Sequence, residues 1–446
     1  MKLALVTETY PPEVNGVAMT LQRLVRGLAA RGHEVDVVRP RQPAAQALDP
    51  SDPPGLRHVL VPSLPLPFYN ELRLGLPLYL RLRRLWRTRR PDIVHIATEG
   101  GLGGAALLAA RRLELPVSTS FHTNFHQYTQ QYMFRAMHGI ALGYLRGFHN
   151  RAACTLVPTT QARRELEAQG FLRVGVMTRG VDGQLYHPTR RDEALRRTWG
   201  VGPDDPVYAY VGRLAVEKNI ELAVQSFLRV QAREPRAHFV LVGDGPARAG
   251  LAERYPQFHF AGMRRGEDLA RHYASADVFL FPSTTETFGN VVTEALASGL
   301  VVVCYDYAAG REHIRSWENG VLAVFGDKVA FTAAVEEPLL RRAEWPAVRV
   351  AARLSAESIT WERVYESFEG TLQRVIAGKF CELHALPGGA CLHAILGPVA
   401  RQRSQWGDAP MRSPPRPRRH GHLPGRRRSS RGDCPMSTSA GSRGRR

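Results

Sequence analysis

Short apolar runs alternate with longer stretches of helical periodicity along most of this chain, a pattern that predicts strands joined by crossover helices in α/β units. In the first half the runs fall at Lys2 to Thr7, Glu34 to Val38, Ile93 to Ala97, Pro116 to Ser120, Thr155 to Val157 and Arg173 to Val176. The second half repeats the plan at Val207 to Val211, His238 to Val242, Phe258 to Ala261, Val278 to Phe281 and Leu300 to Val303. Polar and charged residues dominate from Tyr186-His187-Pro188 to Gly202, which places a domain boundary there. The reading is two α/β domains, 1–186 and 187–377, followed by a segment 378–446 of different composition. Trp361 to Val375 reads as a closing helix that crosses back to the first domain.

The most informative stretch runs from Pro282 to Gly299, Pro-Ser-Thr-Thr-Glu-Thr-Phe-Gly-Asn-Val-Val-Thr-Glu-Ala-Leu-Ala-Ser-Gly. A buried strand at Asp277 to Phe281 leads into it, Asn290 is the predicted N-cap, and helix formers from Val291 to Ser298 precede the stop at Gly299. Backbone N–H groups from Gly289 to Val292 then form an open helix start, where unpaired donors and partial positive charge favour a phosphate without any metal. Glu286 lies before that helix and Glu294 inside it, so each carboxylate can take hydroxyls from a different part of an elongated ligand. Two solvated glutamates would be the bland alternative.

A second block weakens that alternative. Tyr208 to Asn219 reads as a strand, the turn Gly212, and Arg213 and Lys218 flanking the start of another helix. Arginine meets phosphate through a planar fork and lysine as a mobile point charge, which together suit a diphosphate at the C-terminal end of a strand.

With Gly212-Arg213-Leu214, Glu217-Lys218-Asn219 and the Glu286-x7-Glu294 spacing, the chain resembles the retaining glycosyltransferases of the GT-B fold, family 4, over residues 1 to 377. The resemblance implies two facing Rossmann-like domains around a cleft. Lys2 to Val17 resembles the family's first strand and loop, with Gly16 letting backbone approach the phosphates closely. Phe121-His122-Thr123-Asn124-Phe125 resembles the block whose histidine lies beside the donor sugar. Arg179-Gly180-Val181-Asp182 resembles an Asn-Gly-Val-Asp block, with Arg179 as a departure. Val242-Gly243-Asp244-Gly245-Pro246 and Ala261-Gly262-Met263 resemble the turns around the nucleotide base, and Val301 stands where proline is usual.

The resemblance implies transfer of a sugar from a nucleotide-diphospho-sugar with retention, through an oxocarbenium-like state in which the leaving diphosphate accepts the acceptor's proton. The protein then stabilises phosphate charge and orients the sugar. By this resemblance the catalytic group is His122, Arg213, Lys218 and Glu286, and the donor site adds Gly16, Gly243, Gly262, Met263, Phe288, Gly289, Asn290, Val291 and Glu294, the last on ribose hydroxyls. The opening and the histidine block are most similar to bacterial GDP-mannose-dependent α-mannosyltransferases. Users of UDP-glucose, UDP-glucuronate or UDP-sulfoquinovose remain the alternative. His95 and His126 read as structural or peripheral.

No cofactor is expected, and no metal: Asp-x-Asp is absent, and the cysteines at 154, 304, 381, 391 and 434 have no ligand spacing. They form no disulfide framework either, and neither a signal sequence nor a spanning run is evident, so a cytoplasmic enzyme is expected. The 44% hydrophobic content suffices for two cores.

Charge is unevenly placed. From Gly378 on, 14 Lys and Arg face 3 Asp and Glu, which supplies +11 of the formal +19. Rich in Arg, Pro, Gly and Ser and without periodicity, that segment is expected to be disordered and reads as an out-of-frame gene end rather than a working module. A nucleic-acid-binding protein acting through it is the remote alternative. Inside the body, Leu72 to Arg90 mixes leucines and aromatics with seven arginines and no acid. It reads equally as a helix lying on an anionic membrane, with Tyr79 and Trp86 at the interface, or as a surface helix packed on the sheet and broken at Pro77. The membrane reading points to a glycolipid or polyprenyl-linked acceptor; a saccharide is the other. Gly101-Leu102-Gly103-Gly104 invites a dinucleotide reading, but no acid closes a strand about 20 residues on, as ribose binding would want.

Overall fold

The computed structural model describes residues 1–13, 15–42, 51–66, 69–122 and 135–379. Thr123, Asn124, Phe125 and His126, and the basic segment from residue 380, lie outside the described residues.

The first lobe is built on β1 (Lys2–Val6), β2 (Glu34–Pro40), β3 (Leu56–Val61), a hairpin of β4 (Ser63–Leu66) and β5 (Tyr69–Gly75), β6 (Ile93–Ile96), β7 (Val117–Ser120), β8 (Cys154–Val157) and β9 (Val174–Val176). All but the hairpin form one parallel sheet in the order β3-β2-β1-β6-β7-β8-β9. The second lobe carries β10 (Val207–Val211), β11 (His238–Val242), β12 (His259–Gly262), β13 (Val278–Phe281), β14 (Val301–Tyr305) and β15 (Val321–Ala323), again parallel, ordered β12-β11-β10-β13-β14-β15. In both sheets the order reverses beside the first strand of the lobe, and at such switch points an open α/β sheet leaves a crevice at its carboxyl edge. The expected α/β architecture is therefore present twice.

Strands with continuous apolar runs are those the pattern finds. Val207 to Val211 and Val278 to Phe281 are buried throughout, as a sheet covered on both faces requires. Besides the hairpin β4–β5, missing from the expectation are β3, whose residues are mostly half-buried at the sheet edge, and β15, only three residues long. Neither gives the apolar run that marks a covered strand.

The stretch Leu72 to Arg90 is not one helix. Its first residues close β5, and the helix spans Tyr79–Thr88. Leu82 and Trp86, one turn apart, face the first lobe and are buried, so Trp86 is a core residue rather than a membrane anchor. Its arginines at 81, 84 and 87 stay exposed.

The helix Trp361–Ile376 crosses back to the first lobe as expected. Trp361, Val364, Tyr365, Phe368, Leu372 and Val375 pack among Leu21, Leu24 and Leu28 of the helix Gly16–Ala30. The Phe368 ring meets His95 edge-on at 4.9 Å. His95 is fully buried, bridges Ser118 (2.9 Å) and Ser120 (2.8 Å), and burial pulls its pKa down to about 3, which makes it a structural histidine. Where the chain leaves the first lobe, the Val181 amide donates to the Ile359 carbonyl at 2.8 Å, so the outgoing and returning segments run side by side. A second contact joins the lobes: the Glu312 carboxylate accepts from the Thr160 amide at 2.7 Å, at the N-terminus of the helix Thr160–Ala168.

Candidate active site

The loop after β13 and the loop after β10 are tied together at the carboxyl edge of the second sheet. Asn219 donates through Nδ2 to the Pro282 carbonyl at 3.0 Å, and the Thr285 hydroxyl donates to the Glu217 carbonyl at 3.0 Å. That brings Lys218 Nζ to 2.6 Å from Glu286 Oε1, which also accepts from the Ser283 hydroxyl at 2.8 Å. Sequence spacing placed these two residues in one site with separate tasks; the structure pairs them. Arg213 sits at the rim, with its side chain 63% exposed and 3.3 Å from Glu217.

The helix opening beside this pair spans Asn290–Ala297. Its N-cap is Gly289, not Asn290 as expected. The chain turns into the helix through φ +94° and ψ 63°, a left-handed conformation that glycine reaches without Cβ strain, so Asn290 becomes the first helical residue. No side chain caps this start, and its first turn holds no acid. The first N–H groups therefore have no side-chain acceptor, which is the arrangement an anion completes. Val291 is half-buried in that first turn, whereas the Phe288 ring is 2% exposed and packs against His313. The Phe288 side chain is thus committed to the core, which leaves its backbone to face a ligand.

Glu294 faces inward. Its Oε2 accepts from the Tyr273 hydroxyl at 2.9 Å, and the Tyr186 hydroxyl also bonds to it. Burial pushes its pKa up to about 7, against the pull of the two hydroxyls. Motif spacing did not mark either tyrosine, since they come from the inter-lobe linker and the helix Gly266–Ala274.

Three turns line up behind the loops. The Gly243 amide donates to the Gly262 carbonyl at 2.9 Å, and the Gly212 amide donates to the Val242 carbonyl at 3.0 Å. A Cβ on Gly243 would lie 2.0 Å from the Gly212 carbonyl oxygen, so a side chain has no room there. Met263 beside Gly262 is 53% exposed.

On the first lobe, Gly16 begins the helix Gly16–Ala30, capped by Asn15 Oδ1 on the Ala18 amide at 2.8 Å. A Cβ on Gly16 would meet nothing within 4 Å. His122 follows β7 and receives a hydrogen bond on Nδ1 from Arg179 Nη2 at 3.0 Å. Burial, then Arg179 and the histidines at 95 and 149, hold its pKa well below the usual range. The structure thus gathers Lys218, Glu286, Gly289, Asn290 and Val291 around one helix start and sets Gly243 against Gly262. Among the described residues no hydrogen bond or ion pair joins His122 or Gly16 to that group. No cluster of three His, Cys, Asp or Glu side chains among the described residues could hold a metal.

Residues 14–185 match the family Glycosyltransferase Family 4, and residues 205–340 match Glycosyl transferases group 1. Over 381 residues the chain is 37% identical to a GDP-mannose-dependent alpha-mannosyltransferase of Mycolicibacterium smegmatis, covering 85% of this chain and 99% of the relative. A protein of the same description from Corynebacterium glutamicum is 32% identical over 81% of this chain and 86% of its own length. Among solved structures, the sucrose-phosphate synthase of Thermosynechococcus elongatus superposes with a TM-score of 0.69 at 19% identity, covering 84% of this chain and 99% of that one. WaaG, a glycosyltransferase involved in lipopolysaccharide biosynthesis, gives 0.61 at 18% identity, over 84% and 100%. The chain belongs to glycosyltransferase family 4 and is a glycosyltransferase of the GT-B fold.

Proposed function

We propose that this enzyme transfers a hexose, with mannose from GDP-mannose foremost, to a lipid-linked or saccharide acceptor, with retention and without a metal. The observation that carries the reading is the uncapped helix start at Asn290 set beside the Lys218–Glu286 pair, with Arg213 at the rim. Peptide N–H groups and two cations there match a diphosphate whose charge grows as the sugar leaves. Glu286 orients the sugar, Glu294 takes the ribose hydroxyls, and the turns at Gly243 and Gly262 face the base. His122 and Gly16 bring the first lobe to the donor, and the first lobe holds the acceptor.

The choice of mannose rests on the mannosyltransferases that are 32% to 37% identical over most of their length. A UDP-sugar is the second reading, supported by 32% identity over 309 residues to a sulfoquinovosyl transferase of Arabidopsis thaliana, 59% of that protein's length. For the acceptor, Arg81, Arg84 and Arg87 stand exposed on the helix Tyr79–Thr88 beside Leu80, which is 72% exposed. That face suits an anionic membrane and hence a lipid-linked acceptor at its surface. Among the described residues no helix is long and apolar enough to cross a membrane.

A panel of GDP-mannose, UDP-glucose, UDP-glucuronate and UDP-sulfoquinovose, assayed by thermal stabilisation and by transfer in the presence of EDTA, tests this. A saturating donor raises stability by about 3 kcal/mol at a hundredfold excess over its Kd. Dependence of transfer on a divalent cation would overturn the metal-free reading, and an inverted anomeric product would overturn retention.

A further inference from the structure

Arg179 departs from the asparagine that this block resembles, and its surroundings are unusual for a cation. It is 3% exposed, burial pulls its pKa down to about 10, and no carboxylate pairs with it among the described residues. The stretch 123–134, which follows His122 in the sequence, contains no Asp or Glu. Its Nη1 is buried without a hydrogen-bond partner among the described residues. A lone buried guanidinium is costly, and cores generally avoid one unless it has a task. The partner of Nη2 indicates that task. A guanidinium has no lone pair to offer, so in the 3.0 Å contact Arg179 donates and His122 Nδ1 accepts. The proton of a neutral His122 must then sit on Nε2, which is buried and has no partner among the described residues.

We propose that Arg179 is a positioning residue that locks His122 in the Nε2–H tautomer, so that the one ring nitrogen left to a ligand is always a hydrogen-bond donor. The inference rests on the reading above, in which His122 meets the donor sugar. A neutral imidazole without a fixed partner exchanges between tautomers and offers a lone pair part of the time, which a sugar oxygen that accepts cannot use. Arg179 removes that ambiguity through the proton's position, while its charge opposes a second proton on the ring. Besides Arg179, the titratable groups bearing on the ring are His95 on β6 and His149 at the end of the helix Arg135–His149, and Glu99 stands beyond them, 3.4 Å from His149 Nε2. Neither of those histidines bonds to His122 Nδ1, so the tautomer is fixed by Arg179. Gly180 keeps the segment close, since a Cβ there would lie 2.6 Å from the Trp361 amide nitrogen.

The test is nitrogen-15 NMR of histidine-labelled full-length protein, with the His122 signal identified by its loss in His122→Gln. Wild type should show a neutral ring protonated on Nε2. Arg179→Met, which fills the space but donates nothing, should shift the signal to a mixture or to Nδ1–H and lower kcat/KM about 10- to 100-fold. Arg179→Lys, which still reaches with a charged N–H, should restore both the Nε2–H signature and most of the activity. A wild-type ring protonated on Nδ1 would overturn the proposal even if Arg179→Met fails to fold. So would an unchanged Nε2–H signal in a folded Arg179→Met. Full transfer by His122→Ala would instead remove the underlying reading of His122, whatever the tautomer.

Discussion

Lys218 Nζ lies 2.6 Å from Glu286 Oε1 although 68 residues separate them, and the Ser283 hydroxyl shares the same carboxylate oxygen. Each charge thereby holds the other in place and partly neutralises it, and on the function proposed above this is the pair that a donor has to engage. With Glu217 against Arg213, this group carries two cations and two carboxylates.

From this pairing we expect Lys218→Ala and Glu286→Ala each to lower kcat/KM by about 10²-fold or more, as loss of a charge-stabilising group does. The double variant should lose much less than the product of the two, because the residues act as a unit. Because the pair is largely shielded, each single change should cost about 1 kcal/mol of stability. Kinetics of the three variants with thermal melts check this, and strictly multiplicative losses would mean that the two act independently.

Gly243→Ala should destabilise the second lobe by about 2–4 kcal/mol, because its Cβ would enter the Gly212 carbonyl at 2.0 Å and φ is +137°. Gly289→Ala should cost less, about 1–2 kcal/mol, since its Cβ would make only van der Waals contact with Glu286 and Phe281 at 3.6 Å and the strain lies in its left-handed φ of +94°. Chemical denaturation of both variants measures the order, and a larger loss at Gly289 would contradict it.

Glu294 carries a pH dependence whose sign is fixed. Its folded pKa is raised from 4.5 to about 7, so between those values the folded state holds a proton that the unfolded chain has lost. Stability from this group is therefore full below about pH 4.5 and falls as pH rises to about 7, after which it is flat. Glu294→Gln should raise the melting temperature at pH 8, by on the order of 1–3 kcal/mol in stability, and leave it nearly unchanged at pH 4.5. If the carboxylate takes ribose hydroxyls in its ionised form, donor binding near pH 6.5 should release protons. Calorimetry in two buffers of different ionisation enthalpy reads that release, and proton uptake would contradict the assignment.

Arg81, Arg84 and Arg87 should contribute about 1 kcal/mol each to binding vesicles that contain acidic lipid. Reversing all three to Glu should abolish flotation with such vesicles while transfer to a soluble acceptor is kept. Flotation unaffected by the triple change or by salt would point the acceptor face elsewhere. Trp86→Ala, by contrast, should act on stability, with a loss of about 3–5 kcal/mol, because that ring is buried rather than offered to lipid.

The sequence by itself determined the double α/β plan, because strands covered on both faces must be apolar without a break, as Val207 to Val211 and Val278 to Phe281 are. It also marked the loops after β10 and β13, where glycine, cations and carboxylates cluster and which the structure ties together. The N-cap moved one residue, to Gly289, because the energy of a left-handed entry outweighed the capping preference of Asn290. Edge strands such as β3 stayed hidden, since half-exposed residues need not be apolar. What tertiary structure alone decided is which side chains meet across long separations. Glu294 faces Tyr273 and Tyr186, Lys218 is paired with Glu286, and Arg179 donates to His122 across 57 residues. Such pairings arise from how strands are ordered within the sheets and from the crossing of the linker beside Trp361. No local preference of the chain encodes them, because each partner is polar, compatible with solvent on its own, and commits to its contact only when packing removes the water.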